Sequence, residues 1–451
     1  MSKVIKIKKG LNIPLEGEAE KVIQKAEPSQ YYGVKPIDFH WMRTKLLKKP
    51  GERVKAGTPL FYNKLIPHVQ VPSPVSGKVV EVPRGDRRKI LEVVVEADST
   101  IEYEDFGKAD PNDLDRDKIV DKLIKSGLWS FIRQRPYSVV ANPEDDPKAI
   151  FISAFNTAPL SPDNDIVVKG ENQNFQKGID VLKKLTTGTI HVNVNAKYPA
   201  SKVFTEARGV QVNQFMGPHP AGNVGVQINK IDPVNAGDKV WYLYPQDIIT
   251  IGRLFDKGIY DASKVIALTG SEVKRPQYYR ILRGASIENL VKDNVNKGNL
   301  RYISGNVLTG KKIAEKGFVG FFDDQVTVIP EGDYYEFLGW AKPGFDKYST
   351  SRAFFSWLRP GKKYRIDTNL HGGERAYVIT GEYEKVFPMD IYPVQLIKAI
   401  MIRDIELMEK LGIYEVDEED FALPEFVCTS KTPVQSHIRE GLNFMMEEMG
   451  I

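Results

Sequence analysis

The stretch Trp129-Ser130-Phe131-Ile132-Arg133-Gln134-Arg135-Pro136-Tyr137 interleaves aromatic rings with two guanidinium groups ahead of a proline. Such a segment can stack on a planar ligand and donate hydrogen bonds to its carbonyl oxygens. Phe131, Arg133, Arg135 and Tyr137 are the candidate contacts. A plainer reading stands beside it, an interface linker whose arginines sit in ordinary ion pairs, and the residues alone favour neither. Tyr31 and Tyr32, beside the turn at Gly33, form a second aromatic pair, for which barrel packing is the preferred reading. The third feature is Phe215-Met216-Gly217-Pro218-His219-Pro220-Ala221-Gly222-Asn223-Val224-Gly225-Val226. Its glycines and prolines predict a rigid loop whose backbone can approach a ligand or a partner closely.

The chain is otherwise poor in catalytic motifs, and no catalytic residue is assigned. It has no G-x-x-x-x-G-K-[ST] phosphate loop, no G-x-S-x-G elbow and no G-x-G-x-x-G after a strand. The six histidines are scattered without metal-ligand spacing, so no metal site is expected. The single cysteine, Cys428, excludes a disulfide framework and fits a reducing compartment. It also excludes an iron–sulfur cluster held by this chain's own thiolates, which needs about four. A net charge of +4 without a basic, aromatic-laced cluster argues against nucleic acid.

Those residues need elements to hold them. At 451 residues, 41% apolar, the chain is too long for one core, so roughly three or four domains are expected. No run approaches the ~18 apolar residues that span a bilayer. Gly51, Val54, Gly57 and Leu60, then Ser73, Pro74, Gly77 and Val79, write a flattened β-sandwich of the lipoyl/biotinyl type. Lys64 lacks the flanks of a modifiable lysine, so residues 1–105 are read as a carrier fold that carries nothing. Met1–Lys9 alternates apolar and basic residues and reads as an edge strand.

From 106 to 262 strands alternate with helices, which predicts a Rossmann-like, doubly wound parallel sheet. A helix is expected over Asp115–Ser126 and another from Asn174 to Leu185. Residues 263–330 read as a small β-grasp domain, with Ser286 capping a helix. Residues 331–451 read as an aromatic β connector, including Trp340, and a C-terminal helical bundle. In that bundle one stripe runs from Leu396 to Leu411 and a capping box at Thr432 starts the last helix. Glu415–Asp420 reads as a solvated acidic turn. The fold class is therefore multi-domain α/β.

Gly217-Pro218-His219-Pro220-Ala221-Gly222, Ile5-Lys6-Ile7-Lys8-Lys9-Gly10-Leu11, Arg133-Gln134-Arg135-Pro136-Tyr137-Ser138, Leu268-Thr269-Gly270 and Val386-Phe387-Pro388-Met389-Asp390-Ile391 resemble the A-subunit family of the sodium-translocating NADH:quinone oxidoreductase. The match runs from residue 5 to about 450, in order. More distantly the domain order looks like the C-subunit of the Rnf complex and the flavoprotein subunit of respiratory complex I. Where those relatives carry C-x-x-C-x-x-C, this chain has Leu423-Pro424-Glu425-Phe426-Val427-Cys428-Thr429-Ser430-Lys431, so their 4Fe–4S cluster does not carry over.

The resemblance implies a peripheral subunit on the cytoplasmic face of the bacterial inner membrane. Its five partner subunits would hold the NADH site, the flavins and the iron–sulfur centres, with no covalent cofactor on this chain. Quinone is the implied ligand, with Phe131, Arg133, Arg135, Tyr137, Tyr31 and Tyr32 as candidate contacts. The alternative from another class is a docking subunit with no ligand, whose aromatics between 334 and 357 face a partner. A stand-alone NADH-dependent flavoenzyme is a third reading, disfavoured by the missing phosphate loop.

Overall fold

The computed structural model describes residues 4–339 and 341–450. Met1, Ser2, Lys3, Trp340 and Ile451 lie outside the described residues. The architecture of the described residues is mixed α/β, built on four sheets with a helical C-terminal end. Two sheets form the N-terminal sandwich. One holds Tyr31–Val34, Val93–Ala97, Gly77–Glu81 and Arg53–Val54; the other holds Thr44–Leu46, Pro59–Asn63 and Gln70–Pro72. The motif's apolar residues Val54, Leu60 and Val79 are all buried between them. Lys64 follows Pro59–Asn63 and is exposed.

The third sheet is the frame of the site. Ile5–Lys6, Gln211–Met216, Thr189–Asn195, Ala149–Ser153 and Val240–Leu243 run parallel in that spatial order. An antiparallel hairpin, Arg133–Arg135 and Val139–Val140, extends it beyond Val240–Leu243. Strand order reverses beside Ala149–Ser153, because the chain first adds two neighbours on one side and later Val240–Leu243 on the other. Helix Arg116–Lys125, expected over Asp115–Ser126, starts at Asp115, whose carboxylate accepts from the Lys118 N–H. Asn172–Lys183 is the second expected helix.

The fourth sheet, six strands, includes Ser263–Thr269, Gln277–Leu282, Leu300–Ser304 and Gln325–Pro330. The N-terminal segment serves two sheets outside the sandwich: Ile5–Lys6 joins the parallel sheet and Glu20–Lys25 joins the six-stranded one. Alternation announces a strand but not which edge it will find, since the partner edge is distant in sequence.

Four expectations need correction. Among the described residues of 331–381 there is no strand, only the short turn of 3₁₀ helix Phe355–Leu358. Aromatic content alone does not make a strand without an open edge to pair with. The stripe from Leu396 to Leu411 is two helices, Pro393–Met401 and Ile405–Lys410, because Asp404 caps the second through the Leu407 N–H. Thr432 is not the cap of the last helix: the cap position of Val434–Glu448 is Pro433, and Glu425 accepts the Gln435 N–H at 2.7 Å. Ser286 lies one residue before the cap position, yet its hydroxyl still accepts the Glu288 N–H.

Candidate functional site

Gly127, at a φ of +73°, ends the helix Arg116–Lys125 and releases the fully buried turn Leu128–Phe131. The strand Arg133–Arg135 follows. Side chains alternate along a strand, so Arg133 and Arg135 share one face and Gln134 takes the other. Both guanidiniums lie against Tyr242 on the neighbouring strand, at 4.6 and 5.7 Å from its ring centre. Gln134 instead accepts from the Trp241 indole at 3.4 Å. The hairpin turn holds Tyr137 and Ser138 at φ of +77° and +59°, conformations that side chains avoid. Arg439 secures it by donating to the Tyr137 carbonyl at 2.8 Å.

Arg133 is enclosed by aromatic rings: Phe322 at 4.2 Å, Tyr242 at 4.6 Å and Tyr244 at 4.9 Å. Its Nε and Nη2 are shielded from solvent and, among the described residues, have no hydrogen-bond partner. It lines a cavity of about 60 Å³ with Asp38, Phe39, His40, Ser138, Val140, Tyr242, Phe322, Asp417 and Glu419. Sandwich, parallel sheet, six-stranded region and C-terminal helices all contribute to its wall. Burial and the nearby Arg439 push the His40 pKa down to about 3, so the ring is neutral at pH 7.

Arg135 points to the other end of the same face. It is almost wholly buried and pairs with Asp417 at 3.6 Å, Glu419 at 2.9 Å and Asp420 at 3.3 Å. Arg439 adds a second cation against Asp417 and Glu418. The acidic stretch Asp417–Asp420, expected as a solvated turn, is thus a buried ion cluster. The missed signal is its spacing: Asp417 and Asp420 cap each other as a capping box at the start of Glu418–Phe421. Four carboxylates crowd two paired arginines. Burial raises Glu418, Glu419 and Asp420, the last to about 7, while Arg135 and Arg439 overcome the effect of burial and hold Asp417 low.

The six candidate contacts separate. Of them, Arg133 lines the cavity. Phe131 packs on Phe321 and under the Arg283 guanidinium. Tyr137 meets Tyr414 edge-on at 6.1 Å and donates to the Met449 sulfur. Tyr32 is buried in the main core, and Tyr31 is on the outer face of the same strand. Tyr242, Tyr244 and Phe322 could not be nominated from sequence, because only strand register and domain packing bring them to Arg133.

The proline-histidine loop has its close backbone approach, but to the chain itself. A methyl group at Gly217 would lie 2.4 Å from the Ile7 carbonyl oxygen, and one at Gly222 2.7 Å from the Thr157 nitrogen. The Leu11 N–H donates to the His219 carbonyl at 2.8 Å. His219 itself is buried, its Nδ1 3.1 Å from the Thr157 hydroxyl, and burial lowers its pKa to about 4. A second cavity, about 40 Å³, lies between this loop, Asn156, Tyr244 and Glu419. It sits where the strand order reverses, the usual ligand crevice of an open parallel sheet. Here Glu419 closes it: its carbonyl accepts from Asn223, at the start of the helix Val224–Ile231. Among the described residues no group of side chains could hold a metal ion.

Three family models match successive stretches: the NqrA N-terminal barrel-sandwich hybrid domain over residues 5–98, the NqrA second alpha/beta domain over 114–260, and the NQRA C-terminal domain over 265–315. The chain is 40% identical over 451 residues to the Na(+)-translocating NADH-quinone reductase A-subunit of Rhodopirellula baltica, covering 99% of this chain and 98% of that protein. Identity to the corresponding protein of Hahella chejuensis is 38% over 452 residues, covering 99% and 100%. The A-subunit of Yersinia pestis bv. Antiqua matches at 38% over 450 residues, with the same coverage.

Proposed function

The chain belongs to the A-subunit family of the Na(+)-translocating NADH-quinone reductases, and we propose that it lies peripherally on the cytoplasmic face of that membrane complex, at its quinone end. Sodium export is then coupled to electron flow through partner subunits, which hold the NADH site, the flavins and the iron–sulfur centres. This chain contributes a polar contact for quinone. The observation that carries the reading is Arg133: among the described residues, two of its guanidinium nitrogens stand unpaired beside a cavity walled by aromatic rings. Buried donors without partners are costly and normally find one. A quinone oxygen would satisfy them, and a fixed guanidinium would stabilise the negative charge that develops there on reduction.

A docking role without any ligand of its own is the second reading, and one magnitude favours it. The cavity of about 60 Å³ is well below the ~150 Å³ that accepts benzene. Quinone entry therefore requires the wall formed by Phe322 and the Asp417–Glu419 segment to move. Calorimetric titration of the isolated chain with a short-chain quinone separates the two. Binding of about one quinone, lost in Arg133→Ala with the fold retained, supports the contact. No binding by the parent chain leaves the docking reading.

A further inference from the structure

The loop between the strand Gln325–Pro330 and the helix Glu382–Val386 carries a concentration of outward-facing aromatics. Tyr335 is fully exposed and Phe337 is 86% exposed, with Leu338, Phe345, Phe355, Trp357 and Leu358 each about half exposed. Scattered exposed apolar residues need no explanation, but a group of this kind in one segment marks an interaction surface. The loop is not loose chain. Tyr348 packs on Tyr364 at 5.4 Å, Tyr364 bonds back to the Pro14 carbonyl, Ser356 is buried, and Tyr334 donates to Asp367 at 2.6 Å. An anchored base therefore presents aromatic tips.

Charge decides what those tips meet. From Tyr334 to Lys363 the sequence holds six cations, Lys342, Lys347, Arg352, Arg359, Lys362 and Lys363, against two carboxylates, Glu336 and Asp346. Lys342 and Lys347 pair with Glu336, Lys362 with Asp346 and Lys363 with Glu18, which leaves the two arginines to carry the loop's uncompensated charge. Among the described residues, Arg352 and Arg359 have no carboxylate within ion-pair distance; Arg352 instead lies 5.7 Å from the Trp357 ring. Aromatic rings interleaved with basic residues suit the headgroup layer of an anionic membrane, where rings sit at the boundary and cations meet lipid phosphates. We propose that the loop Tyr334–Lys363 is the face by which this chain rests on an anionic lipid surface. The inference rests on the peripheral placement proposed above.

The test is sedimentation of the isolated full chain with vesicles of phosphatidylcholine, alone or mixed with phosphatidylglycerol. Binding is expected with the anionic mixture and should weaken with salt, as electrostatic attraction is screened. Two variants follow, Phe337→Ser/Trp357→Ser and Arg352→Glu/Arg359→Glu, each on exposed positions and each checked for an unchanged melting curve. The charge-reversed variant should bind roughly tenfold more weakly or worse. Absence of binding to anionic vesicles, or variants that bind like the parent, overturns the proposal. If the parent ignores vesicles but binds detergent-solubilised membrane subunits through the same residues, the partner is protein. The lipid proposal then fails while the peripheral placement stands.

Discussion

The guanidinium of Arg135 donates to the carboxylate of Asp420 at 3.3 Å, joining two buried residues 285 positions apart in the chain. The contact fastens the edge hairpin of the parallel sheet to the C-terminal helices. A buried ion pair adds little net stability compared with an apolar substitute, but removing one partner strands the other charge, at a cost of about 3–5 kcal/mol. Arg135→Met should therefore lower the denaturant midpoint strongly and expose the segment after Phe387 to protease before the rest of the chain. Replacing Asp420 by Leu in the same background should restore part of the loss. A single variant with unchanged stability would show that the cluster does not hold the C-terminal end.

The same cluster sets a pH dependence with a definite sign. Burial, with Glu419 and Asp417 nearby, pushes Asp420 up to about 7 from its ordinary 3.8. Between those values the folded chain holds a proton that the unfolded chain has released, so this group's contribution to stability is lost as pH rises through the window. Asp417 acts oppositely: it is held low, so its contribution is present above the ordinary aspartate range and is lost in acid. Melting temperature should therefore fall from about pH 5 to about pH 8, and Asp420→Asn should flatten that slope. A variant whose slope matches the parent's would move the shared proton to Glu418 or Glu419.

Local signals in the sequence were legible and long-range ones were not. Val54, Leu60 and Val79 face inward because their spacing obeys the strand period, and the helix expected over Asp115–Ser126 forms with Ile119 and Leu123 buried on one face. Arg133 and Arg135 could be placed on one face by the same period. Their different fates could not: one sits among rings from distant strands, the other meets carboxylates from the far end of the chain. Asp417–Asp420 misled because a run of acids usually stays in water, and only the buried arginines from elsewhere reverse that. At Asp404 the periodic stripe outweighed a cap that was plain in the residue type.

Gly225 tests how tightly the acidic segment seats on the parallel sheet. It lies in the first turn of Val224–Ile231, and a methyl group there would come 2.4 Å from Asp420 Oδ2. Alanine in a helix interior normally gains up to about 1 kcal/mol over glycine. Overpacking against a short side chain fixed in an ion cluster costs about 1–3 kcal/mol, so Gly225→Ala should destabilise on balance. The loss should shrink in a Gly225→Ala/Asp420→Gly double variant, measured against Asp420→Gly alone. Additive losses would mean that the methyl group is accommodated elsewhere.

Cys428 ends the helix Ala422–Val427 as a buried thiol, its sulfur accepting from the Thr432 N–H at 3.4 Å. Its chemistry discriminates between a ligand and packing. Reaction of a thiol with a bulky reagent requires access to the sulfur, and burial denies it. The native chain should therefore react slowly with an aromatic disulfide reagent and yield one equivalent of thiol once unfolded. Cys428→Ala should cost about 1 kcal/mol, the scale of a small core truncation with one weak hydrogen bond lost, and should leave iron content and visible absorption unchanged. Fast labelling of the native chain, or iron that disappears with the substitution, would mean that the thiol is a functional ligand and not part of the core.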